Sequence, residues 1–110
     1  MIFAWDVENL DHLAKHDVTA SEAEFVVVNA TSPFPQHVGD GKRRVWGETA
    51  ARRMLQVIYV LKDQDDVAFE AVDPLDWAVL ETKPAAKIAR IIHAMELTPD
   101  MKRQMRRRRK

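Results

Sequence analysis

Four histidines are the residues of this chain best suited to move protons at neutral pH: His12, His16, His37 and His93. An imidazole has an unperturbed pKa of about 6.5, so it can either accept or donate a proton under physiological conditions. Arginine and lysine keep their charge and can hold a phosphate group by charge-assisted hydrogen bonds. Together, these residue types could transfer protons around a phosphodiester while balancing the negative charge that develops on it.

Two of the histidines share one face of a predicted helix. Glu8, His12 and His16 are spaced four residues apart, which places them above one another on a helix spanning about 7–16. One interpretation is a polar surface stripe stabilised by Glu8–His12 contacts at the i,i+4 spacing. Another is a metal site, because two histidines at this spacing are a common zinc ligand pair. In that case Glu8 would be the third ligand and the fourth position would be open.

Other candidate residues have equally plain structural explanations. His93 lies in an apolar run, where a histidine with satisfied hydrogen bonds in the core is the common situation. Arg52 and Arg53 fall between two predicted strands, so they are either charges exposed at a turn or phosphate ligands. The three tryptophans are expected to anchor the core or a partner, because tryptophan buries a large apolar area.

Hydrophobic spacing and capping signals predict the elements that must position these residues. Thr19 and Glu22 form a capping-box sequence, and a proline follows a capping residue at both Asp73-Pro74 and Thr98-Pro99. The predicted helices span about 7–16 and 20–30, begin near Asp73, and follow Thr98; the predicted strands are 2–5, 43–49, 54–61, 67–72 and 88–94.

These elements predict an α+β fold. An N-terminal helical hairpin packs on an antiparallel β-sheet of three to five strands, and a basic helix ends the chain. The run 55–61 is apolar at nearly every position, which is typical of a central strand covered on both faces. With 110 residues the chain is expected to form a single domain, 1–110.

Charge is divided along the chain although the formal net charge is zero. Residues 63–81 hold seven of the 17 acidic residues and no base, whereas residues 102–110 hold seven of the 17 basic residues and no acid. Such a basic block is either a solvated tail or an arm that binds phosphate. One hypothesis is that the acidic segment pairs with this basic tail and competes with the phosphate groups of a ligand for it.

Several classes of protein are excluded or disfavoured. The absence of cysteine excludes a disulfide framework, a thiol nucleophile and a zinc site with sulfur ligands. No apolar run approaches the roughly 20 residues of a membrane-spanning helix, and Asp6 and Glu8 stand where a secretory signal would be apolar. A cytoplasmic location is therefore expected.

The chain also resembles the BrnT family, the toxin half of bacterial toxin–antitoxin pairs. The resemblance lies in short motifs that occur in the family's order over most of the chain except about 63–87. They are residues 3–6, Asn9, His12, residues 15–19, Glu22, Glu24, residues 45–49, Arg53, residues 55–59, residues 90–94 and residues 97–99.

This resemblance implies a fold related to the RelE-type ribonucleases, which cleave RNA through attack of the 2′-OH without a metal or other cofactor. It implies RNA and a small antitoxin protein that binds DNA as partners, with no membrane, and assembly either as a homodimer or as a toxin–antitoxin hetero-oligomer. It also adds a third interpretation of the His12 face, a groove that contacts RNA with Lys15 beside it.

The resemblance implies two sets of site residues. The predicted catalytic residues are Lys15, His16, Arg53 and His93. The predicted RNA-binding residues are His12, Arg52, Arg90, Lys102, Arg103 and Arg106.

The chain departs from the family pattern at several positions. Met95 replaces an arginine, the acid of an acid–arginine pair near Met101 is missing, and His93 stands where the family has serine. The stretch within about 63–87 is predicted to be an acidic insertion. The alternative function is therefore a catalytically silent module that binds RNA or the antitoxin on the same scaffold.

Overall fold

A computed structural model describes residues 1–108 of the chain, with only the backbone given for residue 108. The last two residues of the predicted basic tail, 109–110, lie outside this description. The remaining part of the predicted tail, from residue 102, belongs to the last helix.

Three helices begin where their capping signals predicted, and the first begins at the predicted residue 7. α1 spans Val7–Ala14 and α2 spans Ala20–Val28, with the Thr19–Glu22 capping box fully formed. α3 spans Pro74–Glu81, and its N-cap Asp73 accepts a hydrogen bond from the backbone of Leu75. α4 spans Pro99–Arg108, and the Thr98 hydroxyl accepts from the Met101 N–H. The side-chain oxygens thus satisfy amide donors that have no partner within the helix.

Five strands form one sheet in the order β1-β5-β4-β3-β2. Their bounds are Phe3–Ala4, Gln36–His37, Lys42–Glu48, Met54–Lys62 and Ile88–Glu96 for β1 to β5. The pairs among β2, β3, β4 and β5 are antiparallel. β1 pairs with β5 in parallel, so the sheet is mixed rather than purely antiparallel.

The main core lies between the first two helices and one face of the sheet. Leu13 of α1 and Val26 of α2 pack against Val45, Leu55 and other buried residues of this face. β4 is central, as its apolar sequence predicted, but its residues alternate between fully buried and half-buried positions. The prediction that both of its faces are covered therefore holds fully for one face only.

α4 covers one end of the opposite face. Its Met105, with Met101 one turn away, packs on Trp46, Leu97 and Met54 near the β3–β4 turn. Trp46 is 4% exposed and its indole N–H donates to Gln56. The interpretation of this tryptophan as a core residue is thereby confirmed.

Residues 63–87 connect β4 to β5. The strand predicted over 67–72 is wrong, because this stretch contains bends and a short 3₁₀ helix at Phe69–Ala71. Its apolar residues are separate anchors: Val72 and Leu80 are buried against Ala4 and Ile88, and Val67 packs beside them. The valines of this stretch therefore pack as separate anchors and do not pair in the sheet.

None of the helices within residues 1–108 combines the length and the apolar character that crossing a membrane requires.

Candidate functional site

Three histidines from two distant parts of the chain meet at one surface. The ring centroids of His12, His16 and His93 are 5.7 Å (His12–His16), 5.8 Å (His12–His93) and 5.4 Å (His16–His93) apart, each pair edge-to-face. One potential ligand nitrogen from each ring lies within 4.8 Å of the other two. His12 and His16 are exposed, while His93 is half-buried, so the cluster is open to solvent on the side of α1.

The end of α1 fixes the positions of His12 and His16. The backbone leaves the helix through a Schellman-type turn, in which Asp17 has a positive φ of 56°. The amides of Asp17 and Val18 donate to the carbonyls of Ala14 and Leu13, which keeps His16 one turn beyond His12. The i,i+4 relation predicted from the sequence therefore persists past the last residue of the helix.

A bulge in β5 lies next to the third histidine. His93 pairs with Ile58 and Ile91 pairs with Tyr59, so Ile92 is an extra residue on the β5 side. α1 lies along this part of β5, and the buried Asn9 donates its side-chain amide to the Ile91 carbonyl at 3.1 Å. This hydrogen bond ties the helix that carries two histidines to the strand that carries the third.

The environment of His93 favours its neutral form. Burial lowers the pKa of His93 below its ordinary value of 6.5, and charge on His16 and His12 lowers it further. A neutral imidazole keeps a lone pair that can accept a proton or bind a metal ion. The interpretation of His93 as a core histidine is wrong, because its ring is half-buried and contacts the other two rings.

Arg53 lies at the end of the sheet near the three histidines, where acidic groups hold its guanidinium. Its guanidinium donates to Glu22 at 2.8 Å and to the Asp17 carbonyl at 2.9 Å, and it lies 3.8 Å from Glu96. Its neighbour Asp17 directly follows His16, so the β3–β4 turn contacts the end of α1. Arg53 therefore lies near the end of α1 that carries His16, and Glu22 and Glu96 balance its positive charge.

Arg90 is engaged near the other end of α1. It donates to Asn9 at 3.2 Å and to Asp6 at 3.4 Å. The eight residues of α1 span about 12 Å, so this contact is well separated from His16. The structure places Arg90 in a network that holds the start of α1.

The remaining predicted cations lie in two regions, one near the end of α1 and the β3–β4 turn and the other on α4. Lys15 is exposed beside His16, and Arg52 is exposed in the β3–β4 turn with a φ of 66°. On α4, Lys102 and Arg106 line a cavity of about 260 Å³ together with Glu48 and Met54. Arg103 pairs with Asp100 one turn earlier on the same helix. The α4 cations therefore form a separate group from the three histidines.

Sequence reasoning missed the residues that organise this region. Asn9 belongs to the family-like motifs, and Glu22 to those motifs and to the capping box, yet each also accepts a hydrogen bond from an arginine. Glu96 and Asp6 were not singled out for this role. A useful signal for Glu22 was available: a capping glutamate has a second oxygen that can accept from a neighbouring cation. Glu8, the third ligand of the metal interpretation, is replaced in the observed cluster by His93.

The chain matches no protein-family model, no curated protein and no solved structure.

Proposed function

We propose that this protein is a metal-independent ribonuclease toxin of a type II toxin–antitoxin system. The observation that carries the proposal is the convergence of His12, His16 and His93 on one solvent-open surface, with Lys15 beside it. Two imidazoles within reach of one phosphate can supply both the base and the acid that RNA cleavage needs. The motif resemblance to BrnT proteins supports the same class of activity.

In the proposed reaction, a neutral imidazole takes the proton of the ribose 2′-OH. The 2′ oxygen then attacks the adjacent phosphorus, and the P–O2′ bond forms as the P–O5′ bond breaks. A protonated imidazole donates a proton to the leaving 5′ oxygen, which leaves a 2′,3′-cyclic phosphate. We assign the base to His93 and the acid to the exposed His16, with His12 contacting the RNA.

One cation near the cluster, Lys15, is suited to balance the developing charge. Lys15 is exposed and directly precedes His16, so its ammonium group is free to reach a phosphate oxygen. Arg53 stabilises the end of α1 through the Asp17 carbonyl, and the exposed Arg52 lies beside it in sequence. In this proposal Lys15 binds the reacting phosphate, and Arg52 with the cations of α4 binds more distant parts of the RNA.

The proposal includes the partners that the resemblance implies. An RNA-cleaving toxin acts in the cytoplasm and is neutralised by a small DNA-binding antitoxin. Apolar side chains exposed on the first two helices offer a surface for such a protein, with Val7 74% exposed and Val28 61% exposed. We propose that the assembly is a toxin–antitoxin hetero-oligomer.

A catalytically silent binding module is the second candidate. It is favoured by the ion pairs of Arg53 with Glu22 and of Arg90 with Asp6, which occupy two of the arginines that the resemblance implies as site residues. A guanidinium held by a carboxylate is less available to a phosphate in the transition state. Such a module would bind RNA or the antitoxin and leave RNA intact.

The test is an incubation of purified protein with single-stranded RNA in excess chelator, with the 2′,3′-cyclic phosphate as the readout. We expect cleavage, and a loss of about 100-fold or more in His16→Ala and in His93→Ala. His37→Ala is the matched control, because His37 lies on β2 at the opposite edge of the sheet from α1. This variant should cleave RNA as fast as the unmodified chain.

The outcomes separate the candidates. Intact RNA with measurable binding would support the silent module. Cleavage that is equal in the His16, His93 and His37 variants would overturn the assignment of the histidine cluster. Cleavage that disappears in chelator would overturn the metal-independent mechanism.

A further inference from the structure

The three-histidine cluster also has the composition of a metal site. Each of His12, His16 and His93 offers one ring nitrogen, and the three nitrogens lie within 4.8 Å of one another. A tetrahedral zinc ion with Zn–N bonds of about 2.0–2.1 Å requires ligand nitrogens about 3.3 Å apart. His12 and His16 are exposed on α1, so rotation of their side chains is the adjustment that zinc binding would require.

The backbone around the cluster is already fixed. Two ligands come from the end of α1, which the Schellman-type turn at Asp17 holds in place. The third comes from β5, and the Asn9–Ile91 hydrogen bond joins that strand to the helix. A site assembled from two secondary-structure elements in this way needs only side-chain adjustment to bind an ion, which reduces the cost of ordering it.

We propose that His12, His16 and His93 bind one divalent transition-metal ion, with zinc as the preferred ion and one coordination position left to solvent. Imidazole nitrogens suit zinc, copper, nickel and cobalt, whereas magnesium and calcium prefer oxygen ligands. The exposure of His12 and His16 leaves room for a water molecule as the fourth ligand. Three histidines with one open position are typical of catalytic rather than structural zinc sites.

This inference does not depend on the proposed ribonuclease activity, but metal binding and RNA cleavage would use the same three side chains. A metal ion uses the same nitrogen lone pairs that would accept or deliver protons during RNA cleavage. If the cluster also performs that chemistry, one zinc ion per chain should inhibit cleavage, and chelator should restore it. Metal binding would then act as an inhibitory input at the same three side chains.

The test measures binding of zinc chloride to metal-free protein by calorimetry, in the absence of RNA. We expect one ion per chain, a higher melting temperature with zinc, and no comparable effect of magnesium. Replacing zinc by cobalt should produce the visible absorption bands of tetrahedral cobalt, which report a tetrahedral coordination geometry.

Variants identify the ligands. His12→Ala, His16→Ala and His93→Ala should each weaken zinc binding by about 100-fold or more, since loss of even an outer-shell partner costs 10–100-fold. His37→Ala and Glu8→Gln are matched controls and should bind as tightly as the unmodified chain. Circular dichroism of each variant establishes that a loss of binding is not a loss of folding.

Two results would overturn this proposal. One is the absence of stoichiometric zinc binding by the folded protein. The other is a site in which Glu8→Gln loses the ion while His93→Ala keeps it, which would place the ligands on α1 alone. Because no RNA is present, neither result bears on whether the chain cleaves RNA.

Discussion

Arg53 joins three segments at one end of the sheet, since it contacts Glu22 of α2, Glu96 of β5 and the Asp17 carbonyl. Charge-assisted hydrogen bonds of this kind stabilise more than neutral ones, although partial exposure reduces the effect. Arg53→Ala should therefore lower the free energy of unfolding by about 1–2 kcal/mol in urea denaturation. Its neighbour Arg52 is exposed, so Arg52→Ala should change stability by less than about 0.5 kcal/mol. Equal effects of the two substitutions would contradict the bridging role.

Glu22 gives this end of the molecule a defined pH dependence. Burial raises its pKa, but hydrogen bonds from Thr19 and Arg53 outweigh burial and hold the pKa below the ordinary value of 4.5. The carboxylate therefore stabilises the folded state above pH 4.5, and this stabilisation is lost as the pH falls through the lower folded-state pKa. The stability advantage of the unmodified chain over Glu22→Gln should shrink on acidification.

Glu24 provides the control for that measurement. Its pKa is raised, chiefly by burial, so its charged form is disfavoured in the folded state. Relative to Glu24→Gln, the unmodified chain should gain stability as the pH falls, which is the opposite sign. Urea titrations from about pH 7 to about pH 3 measure both differences. If both stability differences changed in the same direction with pH, the local contacts of Glu22 would not be what sets its pKa.

At the scale of elements, Asn9 determines how α1 sits on β5. It is 7% exposed, donates to the Ile91 carbonyl and accepts from Arg90. Asn9→Ala leaves these groups without their partner, which should cost about 1–3 kcal/mol of unfolding free energy. Asp11→Ala, at an exposed position of the same helix, should cost less than about 0.5 kcal/mol.

The same substitution tests the link between this contact and the histidines. If Asn9 positions the end of α1 against β5, Asn9→Ala should also weaken zinc binding by about 10-fold while the protein remains folded. A variant that is destabilised but binds zinc as tightly as Asp11→Ala would show that α1 holds its histidines independently of Asn9.

The sequence predicted those elements whose signals are local. The Thr19–Glu22 box, the Asp73-Pro74 start and the apolar run of β4 each act within a few residues, and each is present in the structure. The parallel pairing of β1 with β5 could not be predicted in the same way, because it joins residues more than 80 positions apart. That pairing brings α1 to β5, so local signals could not predict that His93 meets His12; only the family resemblance assigned both histidines to one site.

At the scale of the whole molecule, the segregated charges lie far apart. The connection 63–87 packs against Ala4 and Ile88, beyond the end of β4. α4 packs at the start of β4, where Met54 contacts it. The nine residues of β4 separate these regions by about 26 Å, several times the screening length of about 8 Å at physiological salt. Among residues 1–107, no ion pair joins the two, so the predicted pairing is wrong for this part of the chain.

This separation leads to a prediction for RNA binding that rests on the proposed function. Neutralising three exposed acids with Asp65→Asn, Glu70→Gln and Glu81→Gln should leave affinity for single-stranded RNA within about 2-fold at physiological salt. Removing Lys102 and Arg106 together should weaken binding and reduce the slope of log affinity against log salt by about 1.4, or 0.7 for each lost phosphate contact. Fluorescence anisotropy over a salt series measures both quantities.

Tighter binding by the acid variants would restore the hypothesis that the acidic segment competes with RNA. An unchanged slope without the two cations would remove α4 from the RNA-binding surface.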